Sequence, residues 1–312
     1  IADKLQVAPE EIIFTSSATE SNNLAIRGIA AQYKSGHIIT SQIEHLSVLD
    51  TAKALEKQGF KVTYLRPTRE GIIDSKEVEK NITKETFLVS IMHANNEIGV
   101  INNLQVLANI CKKNNIIFHT DAVQSFCKIP INIENISLLT ASAHKLHGPK
   151  GIGLLYIKKN MKLTPLFTGG GQELVIRPST LNTPAIIGFG KATQLFTKER
   201  LEEVKKLKEL FIQEILKIKG TKINSSTKES LPNIINVFFS NHEADSLLLK
   251  LDEKGIAVST GSACTSHKKS TSHVLKAMDI KSNHSIRFSL SLDSTQKEVQ
   301  TTIKFLKELI YS

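Results

Sequence analysis

An alternation narrows what this chain can fold into more than any other feature. Short apolar runs at 11–14, 37–41, 61–65, 87–92, 116–122, 138–141 and 152–157 read as strands, and helical patterns such as 47–58 and 104–113 lie between several of them. Strands alternating with helices predict a mostly parallel sheet with helices on both faces. In such sheets ligands collect beyond the carboxyl ends of the strands. Polar clusters follow four of the runs: His45 after 37–41, His93, Asn95, Asn96 and Glu97 after 87–92, Asp121 and Gln124 after 116–119, and Ser142, His144 and Lys145 after 138–141. Four clusters at one sheet edge predict a single site there.

The second half has a different rhythm. A glycine turn at Gly169-Gly170-Gly171 leads to Arg177, Ser179 and Thr180. One long helix is expected over 184–219, as a connector to a second lobe. That lobe is expected to hold strands at 233–239, 256–260 and 285–291 and helices at 244–253, 271–278 and 295–310, a small α+β arrangement. The chain shows no internal repeat and no low-complexity segment.

Composition limits the function classes. With 312 residues, 40% of them hydrophobic, the chain can bury a large core, expected in two lobes of unequal size. No run of 18 apolar residues predicts a membrane span, and no signal-peptide pattern opens the chain. It starts at Ile1 rather than Met and is expected to be a piece of a longer chain. The net charge of +10 suggests a polyanion partner, but the lysines of 199–219 alternate with glutamates, as on a solvated helix face. Aromatics are only 5% and Trp is absent, which leaves no stacking platform for bases. A small anionic ligand or an acidic protein partner fits better than nucleic acid. The cysteines Cys111, Cys127 and Cys264 form no Cys-x-x-Cys pair, so no metal site is expected and a reducing, cytoplasmic compartment is.

Three stretches carry candidate chemistry. In Ser142-Ala143-His144-Lys145 a lysine follows an apolar strand between a hydroxyl, an imidazole and a Gly/Pro turn at 148–151. A buried lysine loses its charge readily and can form a Schiff base, whereas a surface lysine in a turn does neither. Thr15 to Glu20 carries small and hydroxyl residues from a strand into a helix, which suits a phosphate or equally an ordinary N-cap. Cys264 sits in the hydrophilic loop Gly261–Ser270 beside lysines and His267, a setting that favours a reactive thiolate. Cys111 and Cys127 lie on apolar elements and read as structural.

Together the strings FTSSATESNNLAIRG, ITSQIEHLSVLD, SIMHANNEIGV, HTDAVQS, SAHKLHGPKGIG, GGGQE, TGSACTS and SIRFSLS resemble the cysteine desulfurases of the NifS/IscS type, within the class V aminotransferases of pyridoxal-phosphate fold type I. The resemblance implies an α/β fold: a large cofactor domain, 1–203, with a mostly parallel mixed sheet flanked by helices, and a small α+β C-terminal domain, 204–312. It implies pyridoxal 5'-phosphate, bound covalently by Lys145. Asp121 would pair with the pyridinium nitrogen, and His45 would stack on the ring and shuttle protons. Gln124 would bond the phenolic oxygen. Ala18, Thr19, Ser142 and His144 would bind the phosphate, and Thr180 the phosphate of the neighbouring subunit in a homodimer. Asn96 and Arg287 would hold the carboxylate of L-cysteine. Cys264 would take the sulfur as a persulfide and pass it to an iron–sulfur scaffold or another acceptor, leaving L-alanine.

The chain departs from the family pattern in places. An N-terminal segment upstream of Ile1 is expected to be missing, and the C-terminal tail to be shortened. Ser17 stands where glycine is usual and Gln172 where histidine is frequent. A different enzyme of the same fold, such as a selenocysteine lyase or an aminotransferase, is the alternative by chemistry. An inactive subunit that binds partners through its basic surface is the alternative by class.

Overall fold

A computed structural model describes residues 1–261 and 272–311. The chain divides into two compact units. The first comprises Ile1–Arg66, Ile73–Ala94 and Asn102–Phe196, and the second Pro67–Ile72, Asn95–Ile101 and the chain from Thr197 onward.

In the first unit the order is α1 (Ala2–Leu5), β1 (Ile12–Thr15), α2 (Ala18–Ala30), β2 (His37–Ser41), α3 (Leu46–Glu56), β3 (Lys61–Leu65), α4 (Ser75–Asn81), β4 (Thr86–Ser90), α5 (Leu104–Lys113), β5 (Ile117–Asp121), β6 (Leu138–Ser142), β7 (Gly153–Ile157) and α6 (Thr183–Leu195). The strands form one seven-stranded sheet in the order β1-β7-β6-β5-β4-β2-β3. The pairings from β3 through β6 are parallel, and β7 runs antiparallel to both neighbours, β6 and β1. Strands β2, β4, β6 and β7 are buried along their whole length, as strands covered on both faces must be. The edge strand β3 is more open. Leu24, Ala25, Ile26 and Ile29 of α2 share a core with Ile13, Ile38, Leu88, Leu138 and Leu155 of the sheet. Because β2, β4, β5 and β6 are parallel, their carboxyl ends share one edge.

The second unit contains α7 (Lys198–Ile215), β8 (Thr221–Ile223), β9 (Ile234–Phe239), α8 (Ala244–Asp252), α9 (His273–Ala277), β10 (Ser285–Ser289) and α10 (Gln296–Tyr311). Its three strands among the described residues pair antiparallel in the order β10-β9-β8. Phe211 and Ile215 of α7, Leu247 and Leu251 of α8, and Ile303 and Leu306 of α10 share a core with Val237 and Ile286.

Two expectations are corrected. The single helix over 184–219 is two helices. Phe196 leaves the helical region (φ −88, ψ 80) and is buried, and the Thr197 hydroxyl caps α7 by accepting the Arg200 N–H. The strand over 256–260 reduces to one bridge, Ser259 to Arg287. Ile256 is still held by the end of α8, its N–H bonded to Leu251 O at 2.9 Å, so too few residues remain extended for a strand. The short elements α4 and β8 carry too little apolar pattern to be read from sequence. Among the described residues no helix is long and apolar enough to cross a membrane.

Candidate active site

Asp121 closes β5 and is 4% exposed. Its Oδ1 accepts the Val123 N–H at 2.9 Å and its Oδ2 the Asn22 side-chain amide at 2.8 Å. Asn22 lies on the inner face of α2, and the same amide nitrogen is 2.8 Å from Ser47 Oγ. Ser47 Oγ is in turn 2.8 Å from His45 Nδ1. A continuous hydrogen-bonded row therefore joins Asp121 to His45 through two residues, Asn22 and Ser47, that carry no functional signal in the sequence. The faint clue is that Asn22 stands in helical register with Ala25, Ile26 and Ile29, a polar group on an apolar face.

One turn away, Glu44 is fully buried. Its carboxyl accepts from Ser41 Oγ at 2.5 Å and from the Met92 N–H at 3.0 Å. Burial pushes this carboxyl up to about 8, and the charge of Asp121 adds to the rise. His119, two residues before Asp121 on β5, bonds Ser90 Oγ at 2.8 Å and Thr140 Oγ1 at 3.2 Å, and burial pulls its imidazole down to about 3. His93 follows β4 and burial pulls it down to about 4.

The other side of the site is built on a cross-strand row. Gly153 of β7 pairs with Ser142 of β6 on one side and Thr15 of β1 on the other. A Cβ at Gly153 would stand 2.6 Å from Ser17 C and 2.8 Å from Ala18 N. The missing side chain thus lets the turn at the start of α2 settle between these strands. Ser17 caps that 13-residue helix by accepting the Glu20 N–H, so the helix does not use the N–H groups of Ala18 and Thr19. Ser142 Oγ is 2.8 Å from His144 Nδ1. Burial lowers the His144 pKa, and the charges of Lys145, Lys150 and Lys128 lower it further. Lys145 is half-buried on the single turn Ala143–Leu146 that follows β6. Arg177 Nε, 2.8 Å from Glu20 Oε1, ties the segment after the glycine turn to the first turn of α2.

The remaining expected residues are placed as follows. Gln124 is half-buried in the turn after β5, and Thr180 is exposed after Ser179, whose φ is 140. Asn96 and Arg287 belong to the second unit, where Arg287 Nη1 donates to Asn96 O at 2.9 Å. Cys264 lies outside the described residues. Burial pushes the Cys111 thiol up to about 12 and the Cys127 thiol to about 11, so neither is a ready nucleophile.

This donor set suits pyridoxal phosphate. A carboxylate this buried calls for a positive partner, yet among the described residues Asp121 has only the two neutral donors. A protonated ring nitrogen supplies that charge. A helix start with unused N–H groups beside a hydroxyl and an imidazole suits a phosphate.

Comparison with known proteins agrees. The family described as aminotransferase class-V matches residues 1–302. The chain is 46% identical to a protein named cysteine desulfurase IscS from Dictyoglomus turgidum, over 99% of this chain and 82% of that protein. A solved structure of a NifS-like protein superposes with a TM-score of 0.91 at 38% identity, covering 99% of this chain and 85% of that one. A structure described as SspA in complex with cysteine superposes with a TM-score of 0.83 at 40% identity, covering 93% and 84%.

Proposed function

The chain belongs to the class-V aminotransferase family, among its pyridoxal-phosphate-dependent cysteine desulfurases, and we propose that it moves the sulfur of L-cysteine onto Cys264 and releases L-alanine. The observation that carries this reading is the buried Asp121 carboxylate at the end of a central strand, bonded among the described residues to neutral donors alone.

Bound here, the cofactor supplies an electron sink for the α-carbon of the amino acid. The chain's own residues do the rest. Asp121 keeps a proton on the ring nitrogen, His45 covers the ring, and Gln124 bonds its phenolic oxygen. The first-turn amides of Ala18 and Thr19, with Ser142 and His144, hold the phosphate. Lys145 would hold the cofactor through its amine, and the same amine is the base that would take the α-proton of the substrate. Asn96 and Arg287 hold the substrate carboxylate, Arg287 as a fork. The Cys264 thiolate then attacks the substrate sulfur. An S–S bond forms as the C–S bond breaks, the electron pair of that bond stays on the β-carbon, which takes the proton given up by the Cys264 thiol, and Lys145 returns the α-proton to complete alanine.

Three further points belong to the same proposal. The active form is a homodimer in which Thr180 reaches the phosphate held by the second copy. Supporting this, Ile187, Leu174, Val175 and Phe167 are 66%, 62%, 59% and 54% exposed, more apolar surface than one segment of a monomer usually shows. The persulfide goes to an iron–sulfur scaffold or another acceptor protein. The compartment is the cytoplasm, which suits the free thiols of Cys111 and Cys127.

The test is a visible spectrum before and after L-cysteine, with alanine and sulfide assayed. Lys145→Ala should lose the band of the lysine-bound cofactor and lower turnover by roughly 10²–10⁴-fold, the usual worth of a positioned acid–base group. Cys264→Ala should keep that band and lose sulfur transfer. Full sulfur transfer by Cys264→Ala would remove the thiol from the mechanism.

A further inference from the structure

His45 is an unusual helix cap, and this decides which of its nitrogens carries a proton. It precedes α3 with an extended backbone (φ −62, ψ 149), and its Nδ1 accepts the Ser47 backbone N–H at 3.1 Å. A backbone amide can only donate, so Nδ1 must be the acceptor of the neutral ring.

The row that ends at Asp121 is compatible with this tautomer and extends it to Asn22. The Asp121 carboxylate accepts, so the nitrogen of Asn22, not its oxygen, faces it. The reverse orientation would set the amide oxygen against the carboxylate. The observed one leaves Asn22 Oδ1 buried without a partner among the described residues. The second proton of the same amide goes to Ser47 Oγ, 2.8 Å away. Because Nδ1, which accepts the backbone amide, carries no proton, Ser47 Oγ donates its own to it. The carboxylate fixes the Asn22 end of the row and the Ser47 backbone amide fixes the His45 end, and between them the Ser47 hydroxyl accepts from Asn22 and donates to His45. Asn22 is 0% and Ser47 8% exposed, so little water competes.

We infer that Asn22 and Ser47 are positioning residues that hold neutral His45 with its proton on Nε2 and its one lone pair committed to the start of α3. His45 can then stack on the ring and donate a hydrogen bond from Nε2, but it has no lone pair with which to take the substrate's α-proton. That leaves the base role to Lys145. The assignment of what meets Nε2 rests on the desulfurase reading; the tautomer itself rests on the hydrogen bonds alone.

Two-bond ¹H–¹⁵N correlation on ¹⁵N-histidine-labelled full chain, with and without cofactor, tests this, His45 being assigned by its loss in His45→Asn. The expected pattern is a bare Nδ1 and a protonated Nε2 in both states. Ser47→Ala removes the hydroxyl and the link to Asn22 but keeps the backbone donor. It should show a fraction of the other tautomer and a kcat for alanine formation lowered about fivefold, the worth of one neutral hydrogen bond, with little change in KM for cysteine. Ser47→Thr, which retains a hydroxyl, should restore both. A protonated Nδ1 in the unaltered neutral ring overturns the inference whether or not cysteine is converted. So does a Ser47→Ala protein with unaltered ring signals and unaltered kcat. Failure to make alanine from cysteine beside the expected ring pattern would overturn the desulfurase reading and leave the tautomer standing.

Discussion

Glu44 and its buried neighbours set how this protein responds to pH, one residue at a time. Burial raises the Glu44 carboxyl from its ordinary 4.5 to about 8. Between those values the folded chain keeps a proton that the unfolded chain has lost. Stability from this group is therefore fully present below about 4.5 and falls as pH rises toward 8, by about 1.4 kcal/mol per pH unit at most. His93 and His119 act in the opposite sense. Burial lowers them from 6.5 to about 4 and about 3, so the unfolded chain binds protons there first, and stability falls as pH drops below 6.5. The three together predict a maximum near pH 6–7, read as Tm against pH. Glu44→Gln keeps an acceptor for Met92 N–H and has no charge to gain, so its Tm should lose the decline between pH 6.5 and 8. An unchanged decline would show that Glu44 is not its source.

At the scale of elements, the site depends on how closely backbones approach. Gly153 is the clearest case, because any Cβ there would enter the turn at the start of α2. Gly153→Ala should cost about 1–3 kcal/mol, as overpacking generally does. Displacing the N–H groups of Ala18 and Thr19 should also weaken cofactor binding, read by titrating pyridoxal phosphate into cofactor-free protein. An alanine variant with unchanged Tm and unchanged affinity would mean the turn has room to move. The break between α6 and α7 shows the same dependence on local detail. Its apolar pattern continues through Phe196, but a capping hydroxyl at Thr197 starts a new helix.

At the scale of the molecule, the first unit carries its exposed apolar side chains mainly between Phe167 and Leu195. Three successive residues there, Glu173, Leu174 and Val175, have φ of 48, 56 and 65, a conformation that β-branched Val175 in particular avoids when unsupported. A second copy of the chain packed on this segment would supply the support. Ile187→Asp is expected to shift the protein toward monomer in sedimentation or light scattering and to lower activity with it. A dimer that persists unchanged would place the contact elsewhere.

Much of this was written locally in the chain. β2 and β3 were legible to the residue because each is a short apolar run closed by turn residues. Lys145 and Asp121 were legible as a lysine and a carboxylate just past such runs, and the resemblance to the desulfurases gave them roles. Asn22, Ser47 and Glu44 were not, since a small polar residue near a helix start reads as a cap or a solvated position. Their meaning comes from partners distant in sequence: Asn22 bonds Ser47 across 25 residues and Asp121 across 99. Only the packing of α2 and α3 on the sheet brings those groups within 3 Å and fixes which atom donates. The sequence determined which side chains line the edge of the sheet, because strand period and turn chemistry act over a few residues. The tertiary structure decided their protonation and orientation, because burial and hydrogen-bond direction depend on neighbours that no local pattern records.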